Sequence, residues 1–230
     1  MVFSTAMAFL ESAVVIYLRE LFYPGGFEFP LRTMSDGVAL VEILREVATL
    51  IMLTGLAILT YKSASERFAG FLIAFAIWDI GYYVFLKLFL DWPLSLFDWD
   101  ILFLIPSIWT GPVLAPLILS ILMIALGMSI LVLNNRYRAP LMKIDIFLLL
   151  TGSLLAIAAF TFDFFLYLLQ SGGTSGLNSE RSAELISGYS PGRFPWFIFI
   201  LACLVILAGI IRYITHYVIP EKNLSKYQMF

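Results

Sequence analysis

The chain has one cysteine, Cys203, and one histidine, His216. A lone cysteine cannot close a disulfide or build a cysteine metal cluster within one chain. A lone histidine excludes histidine-rich zinc sites and bis-histidine haem ligation, so no metal ligand set and no cofactor is assigned. Charge is scarce as well. Asp, Glu, Lys and Arg make up 13% of the 230 residues, where a soluble domain carries about 25%. The net charge of −2 gives neither a nucleic-acid footprint nor a polybasic lipid anchor. No nucleophile stands out, and neither a His-Glu-x-x-His zinc motif nor an aspartate-rich prenyl-phosphate pattern is present. No internal repeat of 20–50 residues is visible.

What is there is apolar residue in long runs. Hydrophobic types make up 61% of the chain, against about 45–50% in soluble domains. Crossing a bilayer takes about 20 mostly apolar residues. Six segments qualify, at roughly 4–23, 37–61, 68–90, 101–133, 144–169 and 194–218. The fourth is too long for one span. Pro106, Pro112 and Pro116 interrupt its first half, each removing a backbone donor. Residues 101–111 are therefore expected to form a short or re-entrant outer segment, with 113–133 as the true crossing. The fold class is all-α: one polytopic membrane bundle of six spans plus that broken segment. The N-terminus lacks a basic n-region and Glu11 interrupts its apolar run, so residues 4–23 are expected to be a retained helix.

Basic residues mark the cytoplasmic loops. Lys62 and Arg67 lie after the second span; Arg136, Arg138 and Lys143 lie after the fourth; Lys222 and Lys226 follow the sixth. This alternation predicts a multi-pass protein of the plasma (inner) membrane with both termini cytoplasmic. The Ser- and Gly-rich 171–193 loop is then outer and expected to be mobile.

Ionisable residues inside spans are costly and point to function. Asp79, Tyr83 and Lys87 are four apart and share one helix face, with Asp79 near the bilayer centre. Glu42, Arg45 and Glu46 share a face of the second span, and Glu46 lies ~13 Å below its outer end at 1.5 Å per residue. Asp163 belongs to the outer half of the fifth span. Together these predict an outward-facing polar pocket of Glu42, Arg45, Glu46, Asp79, Tyr82, Tyr83, Lys87 and Asp163, with Arg19, Glu20, Asp98, Asp100 and Trp109 at its outer rim. Carboxylates outnumber cations there, so a proton or bound cation must neutralise Glu46 or Asp79. Glu11, a few residues into the first span from the inner side, is expected to be the exception to this outer clustering. The apolar sixth span is expected to face lipid more than the others. The bland alternative is that the charges fix helix register, that Trp92, Trp99 and Trp109 form an interfacial belt, and that Asp98 and Asp100 are solvated rather than holding Ca2+.

Arg45-Glu46-Val47-Ala48-Thr49, Trp78-Asp79-Ile80-Gly81-Tyr82-Tyr83, Trp92-Pro93, Asp100-Ile101-Leu102-Phe103-Leu104-Ile105-Pro106, Trp109 and Gly111-Pro112 resemble a family of uncharacterised prokaryotic integral membrane proteins. The resemblance covers about residues 40–120 and implies no activity. Three functions stay open on the residues alone. The first is proton- or cation-coupled transport through the carboxylates. The second is a membrane-embedded enzyme acting on a lipid head group at the outer leaflet, with Arg45 or Lys87 binding the anion. The third is an accessory subunit of a larger membrane complex that binds lipid or quinone. The expected partners are the bilayer and, beyond it, a second copy or other membrane subunits.

Overall fold

The computed structural model describes residues 1–32, 34–105, 107–171 and 185–227, with side chains described as far as Ile219. The expected mobility of the 171–193 loop falls largely on residues outside that set, as do Pro106 and Arg181.

Six helices carry the fold. They are α1 (Val2–Phe22), α2 (Asp36–Thr60), α3 (Ala64–Leu90), α4 (Leu114–Tyr137), α5 (Lys143–Gln170) and α6 (Trp196–Tyr227). All six are long and apolar enough to cross a membrane, so the chain is an all-α multi-pass bundle. Their ends follow local chemistry. Ser35 caps α2 through the Val38 N–H at 3.4 Å. Ser63 and Glu66 form a capping box on α3, satisfying two orphan donors reciprocally. Asp91 and Arg138 take left-handed φ values of 52° and 50° and close α3 and α4. Pro116 falls in the first turn of α4, where a missing N–H costs nothing.

The broken segment is not helical. Trp99–Phe103 (β1) and Trp109–Pro112 (β2) form an antiparallel hairpin, with Asp100 opposite Gly111 and Ile101 opposite Thr110. A hairpin pairs its own backbone groups, which is what an irregular segment tucked into a bundle requires.

Membrane helices gain little from burying apolar surface against one another, so close backbone approach matters more. A Cβ built on Gly127 of α4 would stand 2.7 Å from Ile73 Cγ1 and 2.9 Å from the Ala69 carbonyl oxygen of α3. One on Gly152 of α5 would stand 2.5 Å from Ile206 Cγ1 of α6. These glycines set the α3–α4 and α5–α6 spacings. Helix α6 is thus a tight partner of α5 and also touches α4. Helix α2 is the more peripheral one. It packs on α3 and shows Leu40, Val41, Leu44, Ile51 and Leu59 to the outside.

The two halves of the bundle differ. Toward the 138–142 loop, Leu72, Leu126, Ile130, Leu149 and Tyr213 close into an apolar core. Tyr213 donates to the Ala139 carbonyl at 2.9 Å, and Arg212 pairs with the buried Asp145. Toward the hairpin, the helices separate around a cavity.

Candidate functional site

The cavity has a volume of about 480 Å3, within the range of small-molecule pockets. It starts under the 23–35 connection, where Arg32 and Asp36 lie at its edge. It ends level with Glu11, Thr49, Phe75 and Met123. Met7, Ala8, Leu53 and Ala74 pack beneath that level. The cavity is therefore a dead end in one half of the bundle.

Helix periodicity places the polar wall. Glu42, Arg45, Glu46 and Thr49 project from one face of α2. Arg45 does not reach Asp79. Its guanidinium donates instead to Glu11 of α1 and to Glu42, whose Oε2 lies 2.7 Å away. Thr49 donates to the far oxygen of Glu11 at 3.4 Å. Helices α1 and α2 run antiparallel, and each of Glu11 and Arg45 lies nine residues from its helix start, about 14 Å at 1.5 Å per residue. They consequently meet near mid-bundle, and Glu11 joins the charges of the pocket rather than standing outside their cluster.

Glu46 is 8% exposed. Both its oxygens accept the Leu104 N–H at 3.0 Å, which ties α2 to the hairpin. Asp79 accepts from the Ser120 hydroxyl at 2.7 Å, with its side chain on the cavity wall. Among the described residues, neither carboxylate forms an ion pair.

A second buried pair forms the upper wall. Arg19 and Asp100, expected at the rim, lie inside, 8% and 3% exposed, with Nη2 and Oδ1 3.3 Å apart. The Arg19 guanidinium lies over the Trp92 ring at 3.8 Å and the Phe27 ring at 4.6 Å, so cation–π contact holds it. The Tyr82 hydroxyl donates to Asp100 Oδ2 at 3.4 Å, and Tyr83 adds to that set. Burial pushes the Asp100 carboxyl above its ordinary value, and the Arg19 charge pulls it back.

The remaining wall is aromatic. Phe75 stacks on Phe103 and Trp109 stacks on Phe160, with ring planes 12° and 15° apart. Phe103 links the two stacks, 5.7 Å from Trp109 and 6.3 Å from Trp78. Trp109 is thus an interior wall residue, not part of a belt. The buried indole N–H groups of Trp78 and Trp109 have no acceptor among the described residues.

Four other expected residues lie apart from the cavity. Lys87 is half exposed and binds Asp91 at 2.8 Å and the Pro93 carbonyl at 3.1 Å. Glu20 is exposed. Asp98 accepts from the Leu94 and Ser95 N–H groups at 2.7 and 3.0 Å, so it holds the turn before β1. Asp163 accepts from the Tyr189 hydroxyl at 2.8 Å and from the Gly192 and Arg193 N–H groups at 3.0 and 3.2 Å. Tyr189 is fully buried and shares a 2.8 Å hydrogen bond with Thr110. Burial pushes its hydroxyl well above the usual tyrosine range. Asp163 is therefore the anchor of the last connection.

The sequence does contain one nucleophile pattern, contrary to the expectation of none: Gly188-Tyr189-Ser190-Pro191-Gly192 fits Gly-x-Ser-x-Gly. That pattern activates serine on a strand-to-helix turn with a histidine at hand. Here Ser190 is exposed, and the described residues of its connection, 185–195, form no strand. His216 lies 20 residues along α6 from Trp196, about 30 Å away.

Among the described residues, no group of three or more His, Cys, Asp or Glu is placed to hold a metal ion. No family model matches the chain, and no curated protein or solved structure matches it.

Proposed function

We propose that the protein is a membrane carrier whose pocket takes up a proton or a cation at Glu46 and Asp79. The observation that carries this reading is that both carboxylates line a bundle-interior cavity without forming an ion pair among the described residues. An anionic carboxylate in such a place is expensive unless a proton or a cation joins it. A pocket closed at mid-bundle fits a carrier open to one side better than a continuous pore. The head-group enzyme reading loses its anion sites. Arg45 is already shared by Glu11 and Glu42, and Lys87 lies outside the cavity.

Reconstitution into liposomes with a trapped pH dye tests this. The wild type should move protons or a supplied cation under an imposed gradient. Glu46→Gln and Asp79→Asn should each reduce the rate at least tenfold while leaving the protein folded. If the double variant transports like the wild type, the carboxylates are structural and the reading fails.

A further inference from the structure

The cavity wall defines the chemical class of the occupant. Its surface is mostly apolar, and a single inorganic ion would leave nearly all of about 480 Å3 unfilled. Five aromatic rings form one connected surface from α3 across the hairpin to α5: Phe75, Trp78, Phe103, Trp109 and Phe160. Tyr82 and Tyr83, three and four residues after Asp79 on α3, continue it around the carboxylate. Aromatic faces attract a cation through the ring quadrupole, most strongly where water is excluded. The anionic partner for that cation is at the same place, because among the described residues Asp79 forms no ion pair and accepts from the Ser120 hydroxyl.

Two of the three arginines that line the cavity are held by other carboxylates, and the third, Arg32, lies at its edge. Arg19 is paired with Asp100, and Arg45 with Glu11 and Glu42.

We propose that the cavity holds a lipophilic organic cation, with its charged nitrogen or phosphonium against Asp79 and its apolar body along the aromatic wall. Anionic amphiphiles of the same shape are disfavoured, because they would meet Asp79 and Glu46 while Arg19 and Arg45 are held by carboxylates of their own.

This inference rests on the carboxylate-pocket reading and is tested separately from it. Two ions of equal size and opposite charge serve as probes: tetraphenylphosphonium and tetraphenylborate. Binding is measured on the full-length protein in nanodiscs by quenching of tryptophan fluorescence, with empty nanodiscs as the lipid control. The wild type should bind the phosphonium at least tenfold more tightly than the borate. Asp79→Asn should abolish most of that preference, and Phe103→Leu should weaken phosphonium binding several-fold while keeping the preference. The wild-type comparison needs no variant, so it decides even if Asp79→Asn fails to fold. Equal binding of the two ions, or no binding of the phosphonium, overturns the organic-cation assignment. If proton flux still depends on Glu46 and Asp79 in that case, the carrier reading stands and only the substrate class falls. If that dependence is absent too, both fall.

Discussion

The Arg19–Asp100 pair is the sharpest test of how the upper wall is held. Its side chains are 9% and 4% exposed, so solvent screens the pair little. Removing one partner of a buried pair costs roughly 3–5 kcal/mol, because the other charge is left uncompensated. Arg19→Met should therefore destabilise by about that amount at neutral pH. Asp100→Asn should cost less, since the guanidinium keeps the Trp92 and Phe27 faces, worth roughly 1–2 kcal/mol when desolvated. Replacing both by apolar groups, Arg19→Met with Asp100→Leu, should land nearer the wild type than the sum of the singles.

The pH dependence has a definite sign. Burial holds the folded Asp100 carboxyl above its ordinary 3.8 despite Arg19. A raised carboxyl binds its proton more tightly in the folded state. That contribution is complete below 3.8 and is lost as pH rises through the folded value. Without Arg19 the folded value rises further, so the gap between Arg19→Met and the wild type should widen as pH increases. The assay is thermal unfolding in detergent at several pH values, with the double-mutant cycle read at each. A coupling near zero at pH 8, or a gap that shrinks with rising pH, would refute the pairing as the source of stability.

Further outcomes follow from the packing and the loops. Gly127→Val should cost roughly 1–3 kcal/mol by forcing α4 off Ala69 and Ile73. Gly55→Ala, whose new Cβ meets nothing within 4 Å, should instead gain roughly 0.5–1 kcal/mol; equal melting shifts for the two would contradict the close-approach argument. Asp163→Ala removes the acceptor shared by Tyr189, Gly192 and Arg193. It should cost about 1–3 kcal/mol and speed proteolysis of that connection, with the transport rate changed far less than in Asp79→Asn. In a Cys203→Ser background, Leu96→Cys and Met142→Cys should react with an impermeant thiol reagent from opposite faces of the membrane. Labelling of both from one face would overturn the six-span arrangement.

Much of the architecture was legible because lipid imposes a coarse rule. Every backbone group must be satisfied inside the segment, so apolar length alone predicts helices. Six spans were legible from composition, and six helices, α1 to α6, are long and apolar enough to cross a membrane. The prolines marked where the fourth run must break, and the surplus of carboxylates over cations in the spans was visible as a count. Partnership was not legible. Depth counting assigns a residue its height along a helix but not the neighbour across the gap.

Glu11 and Arg45 show the difference. Each height follows from its number, yet that they meet depends on α1 and α2 both flanking one cavity beside α3. Arg19 and Asp100 are 81 positions apart, and only the seating of the hairpin among the helices buries them together. The same seating brings the Leu104 N–H to Glu46 and leaves Lys87 outside. Composition and periodicity thus determined by themselves that this chain spans a membrane and carries buried charge to be neutralised. Which charges pair with one another, and that Glu46 and Asp79 form no ion pair among the described residues, was decided by tertiary packing, because ion pairing acts over a few ångströms between segments whose adjacency no local pattern encodes.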